Sequence, residues 1–104
     1  MEMLTRMKTG FFEIKPYLLK AEEGSLLLIP IQDMVNGIIC LVESDIHAIT
    51  LTDGRIPELE IETENKLYSC LLDESCLVSE VVNDLKNKLN VNIICEYKGG
   101  KKHA

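Results

Sequence analysis

The segment Glu58-Leu59-Glu60-Ile61-Glu62-Thr63-Glu64 alternates charged and uncharged residues without a break. Successive side chains of a strand point to opposite faces, so a period of two selects a strand over a helix. Leu59 and Ile61 then face a core, while Glu58, Glu60, Glu62 and Glu64 line the other face. An apolar strand face is stable only when covered, so the chain must build a sheet around it. With 104 residues there is material for one such core and not two.

The neighbouring segments agree. Phe11 to Leu19 predicts a strand bent or placed at an edge by Pro16. Ser25 to Gln32 predicts a strand covered on both faces, with Pro30 again pointing to an edge or a bulge. Asn36-Gly37 tolerates the positive φ of a tight hairpin turn, joining Leu26–Val35 to Ile38–Val42. Asp53-Gly54 is a second hairpin signal, between Ile46–Thr52 and Ile56–Thr63. Leu67 to Leu72 and Val91 to Tyr97 complete about seven strands.

The period changes once. Leu77, Val78, Val81, Val82, Leu85 and Leu89 share one face at helical spacing over residues 75–89. Ser75 or Asp73 is placed to cap that helix. The fold class is therefore α+β and mostly β. Its antiparallel strands form a bent sheet or a small sandwich or barrel, and one amphipathic helix precedes the last strand. Residues 1–9 read as a loose lead-in, 10–98 as a single globular domain and 99–104 as a basic flexible tail.

Charge narrows the function. Residues 21–96 hold fifteen acids and four bases, a net of −11, within a whole-chain charge of −6. A body this acidic repels phosphate, which disfavours direct nucleic-acid binding. Lys98, Lys101 and Lys102 form a basic end, read as a solvated tail. The stretch MEMLTRMKTG holds no apolar run of signal-peptide length, and no run reaches membrane-spanning length. The expectation is an intracellular protein, cytoplasmic or nuclear, with no membrane partner and with reduced thiols.

No residue set spells out a reaction. Cys40, Cys70, Cys76 and Cys95 show no C-x-x-C pair, so neither zinc nor another metal is expected. Cys40, Cys70 and Cys95 read as small core residues. Cys76 is the one thiol that a helix N-terminus would activate. Ser44, Asp45 and His47 are near in sequence, but a triad needs convergence in space. His47 alternates with Ile49 and Leu51, which places it on their face. With no phosphate loop and no Trp, no cofactor is expected.

The glutamate row remains. Its carboxylates stand ~7 Å apart along a strand and cannot wrap a cation. The plainer account is a solvated face that also blocks edge-to-edge aggregation. The functional account is an acidic docking strip, with Phe11-Phe12 as an apolar anchor. The leading expectation is a non-catalytic adaptor or assembly factor that docks another protein with a basic surface. The alternatives are an acidic inhibitor imitating nucleic acid, and a small enzyme using Cys76 or paired glutamates. Exposed strand edges and Phe11-Phe12 also make a homodimer reasonable.

One stretch carries a family resemblance. SLLLIPI followed by GIICLVESDIHAITLTDG, from Gly37 to Gly54, resembles the early hairpin of head domains in the DNA end-joining scaffold family. That family includes the DNA ligase IV cofactor and its paralogues. The resemblance implies a sandwich-like head and a non-enzymatic adaptor that dimerises. An aromatic residue is typical after that hairpin, where this chain has Arg55-Ile56-Pro57-Glu58-Leu59, and no functional residue is carried over.

Overall fold

The computed structural model describes residues 1–32 and 37–97, with only the backbone of residue 97. Its strands are β1 (Glu2–Gly10), β2 (Glu13–Glu22), β3 (Ser25–Pro30), β4 (Ile39–Val42), β5 (Ile46–Asp53), β6 (Glu58–Thr63), β7 (Leu67–Leu71) and β8 (Ile93–Tyr97). One helix, α1 (Val78–Lys88), lies between β7 and β8. The eight strands form one sheet in the order β4-β3-β2-β1-β7-β6-β5-β8. It is mixed: β8 runs parallel to β5, and the other pairings are antiparallel.

The class expected from sequence is the one found: mostly β, with an amphipathic helix before the last strand. Several details differ. Residues 2–10 are β1, a central strand, and not a loose lead-in. Its apolar residues alternate weakly, but Thr5 and Met7 are buried and Thr5 Oγ1 donates to the Tyr17 carbonyl at 3.1 Å. Neither Pro16 in β2 nor Pro30 in β3 marks an edge, because both strands are interior. Pro30 closes β3 at its last residue. Pro16 sits opposite Arg6, and its carbonyl still accepts the Ile31 amide at 3.2 Å. The true edges are β4 and β8. Asn36, half of the expected turn, lies outside the described residues, and Gly37 has φ 72°. The expected tail 99–104 lies outside them as well.

One apolar cluster fills the inner side of the sheet. Leu19, Leu26, Leu28, Ile49, Leu51, Leu59 and Ile61 are fully buried. Val81 and Leu85 on one face of α1, with Leu89 at its C-cap, close over them, as their spacing requires. Each such aliphatic side chain contributes about 1.5–3 kcal/mol by leaving water. No side-chain cap starts the helix; its N-cap is Leu77. Asp73 instead closes the turn before it, accepting from the Ser75 amide at 2.8 Å and the Ser75 hydroxyl at 2.6 Å.

Candidate interaction surface

Because strand side chains alternate, the register that buries Leu59 and Ile61 turns their neighbours outward. Paired residues share a face, so the outward residues can be followed across the sheet. One row reads Pro16 on β2, Arg6 on β1, Leu71 on β7, Glu58 on β6, Thr52 on β5 and Glu96 on β8. A second joins Leu4, Leu18 and Ile29. A third joins Leu27 to Cys40.

The outer face is therefore divided. Its β1–β4 half carries aliphatic residues among charges: Leu4 is 62% exposed and Ile14 50%, Leu18, Leu27 and Ile29 are half-buried, and Glu2, Arg6, Lys8 and Lys20 stand in the same rows. Its β6 side carries Glu58, Glu60 and Glu62, opposite Leu71, Ser69 and Leu67 on β7. Glu58 is not a free charge. It takes a salt bridge from Lys8 at 3.2 Å and a hydrogen bond from the Ser69 hydroxyl. Glu60 and Glu62 make no ion pair among the described residues. Glu64 has left the strand; it sits in the bend after β6 and lines a cavity with Ser44, Asp45 and His47. The expected four-carboxylate row is thus a pair of unpaired acids beside one neutralised glutamate.

Phe11 and Phe12 lie in the turn between β1 and β2, beyond the end of the sheet. They are 92% and 93% exposed, and their rings meet edge to face at 4.5 Å. The expected strand from Phe11 to Leu19 begins instead at Glu13, which leaves both rings in solvent. Exposure this complete in two adjacent aromatics costs apolar hydration and is worth a functional account.

The catalytic alternatives gain no geometry. No hydrogen bond among the described residues joins Ser44, Asp45 and His47. His47 is exposed while Ile49 and Leu51 are buried, because a register shift between Ile46 and Ala48 breaks the alternation. Cys40 and Cys95 are exposed rather than core: Cys40 faces outward opposite Leu27, and Cys95 lies on the edge strand β8. Cys70 is buried, and burial pushes its thiol up to about 11. Cys76 is also raised, first by burial and then by Asp73, Glu80 and Asp53, which is the opposite of helix-dipole activation. No group of metal-ligating side chains converges among the described residues. None of their helices is long and apolar enough to cross a membrane.

Sequence patterning located the glutamates and the aromatic pair but missed the aliphatic residues of this face. Leu18, Leu27 and Ile29 belong to runs apolar on both faces, where periodicity does not separate inward from outward, and Leu4 stands between Glu2 and Arg6 in a segment whose outward side is otherwise charged. Only the register separates them.

No protein-family model and no curated protein matches the chain. Among solved structures, a chain in the structure of the Spt16D–Pob3N heterodimer is similar, with a TM-score of 0.68 at 13% identity. The match covers 100% of this chain and 60% of that one. The chain thus spans less than two thirds of its neighbour's length, and at this identity the likeness is one of fold.

Proposed function

We propose that this chain is a non-catalytic protein-interaction domain that docks a partner on the outer face of its sheet. The observation that carries this is the divided face: exposed aliphatic side chains on β1–β4 stand beside Glu60 and Glu62, which have no cation among the described residues. The aliphatic side chains supply burial, and the carboxylates select a partner with basic groups by complementary charge. Phe11 and Phe12 add an anchor at the end of the same sheet. The two open edges, β4 and β8, are a second route to a partner strand. The neighbour of like fold belongs to a heterodimer, which supports a protein partner in general terms. The resemblance at Gly37–Gly54 implies the same class, a non-enzymatic adaptor.

The test is capture from native lysate with an N-terminally tagged chain at low and moderate salt. A stoichiometric, salt-sensitive partner is expected, and charge reversal (Glu60→Lys with Glu62→Lys) should weaken it about tenfold and flatten its salt dependence. Unchanged binding removes the carboxylates from the account. Competition of DNA or RNA for the same partner would instead favour a nucleic-acid mimic.

A further inference from the structure

We propose that a cavity where β1 meets β7 is a pocket for an apolar side chain of a partner peptide whose adjoining residues are basic. This deepens, and rests on, the reading of the outer face as a protein-docking surface.

The cavity has a volume of about 590 Å³. That lies within the range of ~300–1,000 Å³ typical of ligand sites, and it is roomier than a single aliphatic side chain needs. Its apolar lining comes from Leu4, Pro16, Ile56 and Leu71. Leu4 is 62% exposed and Ile56 41%, so two of these walls are wet in the free protein. Three of them also belong to the outward rows already described: Leu4, Pro16 and Leu71. The β1–β7 seam explains why a hollow forms here. Only Arg6↔Leu71 and Met7↔Cys70 pair across it, so the two halves of the sheet diverge on either side.

Charge chooses the occupant. Asp73 and Glu74 line the cavity on one side. Arg6 is the one base in the lining; Asp73 is held low chiefly by the Ser75 hydroxyl and amide, with a smaller part from the charge of Arg6. From there the unpaired Glu60 and Glu62 continue along β6. An anionic ligand meets a net negative rim. A neutral small molecule would gain nothing from the carboxylates. An extended segment with one large apolar residue followed by lysines or arginines uses both: the apolar residue enters between Leu4 and Ile56, and the bases run over β6 toward Glu62.

The experiment titrates three fluorescent eight-residue peptides into the full chain. The first carries one Phe followed by three Lys; the second replaces Phe with Ser; the third replaces the Lys with Glu. The first should bind at least tenfold more tightly than either control. Its amide-shift footprint should include Leu4, Ile56 and Leu71. Leu4→Ala and Ile56→Ala alter exposed side chains, so the fold should persist while affinity for the first peptide falls at least tenfold. Asn87→Ala, on the exposed side of α1, should leave that affinity unchanged. Binding that ignores the Phe-to-Ser change, or both alanine variants, overturns the pocket. If Glu60→Lys with Glu62→Lys still weakens that binding, the acidic docking surface survives without it. Binding of no peptide below millimolar concentration also overturns the pocket, and partner capture from lysate then decides the docking surface separately.

Discussion

Gly24 shows how a single backbone angle is used. It has φ 80° in the turn between β2 and β3. Its amide donates to the Lys88 carbonyl and its carbonyl accepts from the Glu43 amide, both at 2.9 Å. The turn thus ties the end of α1 to the start of the β4–β5 connection. An added Cβ would have room, since its nearest contact is Glu43 Oε1 at 4.0 Å, so the cost of Gly24→Ala is conformational. A loss of about 1–2 kcal/mol is expected, read as a lower urea midpoint with unchanged slope. Cys70 makes a second prediction at this scale. Its folded pKa of about 11 lies above the ordinary 9.0, so the native state holds that proton more tightly. Stability is therefore intact below pH 9 and falls as pH rises toward 11, by up to roughly 3 kcal/mol. Urea midpoints at pH 8 and 10.5 should show this decline in the native chain and much less of it in Cys70→Ala. In the native state a maleimide should label Cys40 and Cys95 at once and Cys70 only after unfolding.

Among the elements, β6 and α1 were legible in sequence because each repeats one period long enough to exclude the other. Strand β1 was not legible. Glu2 to Gly10 mixes Thr5 and Met7 inward with Leu4 outward, and its place at the centre of the sheet is set by partners from both halves of the chain. The prolines misled for a related reason. An edge is one way to tolerate a missing amide; ending the strand, as Pro30 does, is another. The Asp53-Gly54 signal did mark a hairpin, yet Thr52 pairs with Glu58, giving a wider loop than the dipeptide predicts. Of the candidate site, the outward direction of Glu58, Glu60 and Glu62 followed from alternation, whereas the neutralisation of Glu58 by Lys8 joins residues 50 positions apart and has no local signal. Before α1, Asp73 is held below its ordinary 3.8, chiefly by the Ser75 hydroxyl and then by the Ser75 amide. Its contribution is present above that pH and is lost as pH falls through the lower folded value. The urea-midpoint difference between native and Asp73→Asn should therefore shrink on acidification below about pH 3.8. In the β1–β2 turn, Phe11→Ser with Phe12→Ser should leave the midpoint within about 0.5 kcal/mol, because neither ring is buried. A loss of partner binding without loss of stability would assign those rings to docking.

At the scale of the molecule, the sheet is two groups of consecutive strands, β1–β4 and β5–β7, joined through β1 and β7 and completed by β8. Within each group, neighbours along the chain are neighbours in the sheet, so their contacts close short loops. Two pairings do not: β1 with β7, and β5 with β8. Because long loops must close before those contacts stabilise anything, both should form late, and refolding should be slower than for a helical chain of this size. During synthesis the order is fixed by the ribosome. β5 emerges with one side waiting for β8, and all of β6, β7 and α1 must follow before that side is filled. Through that interval the Ile49–Asp53 backbone is a bare strand edge, and the growing chain is most open to pairing with a strand that is not its own.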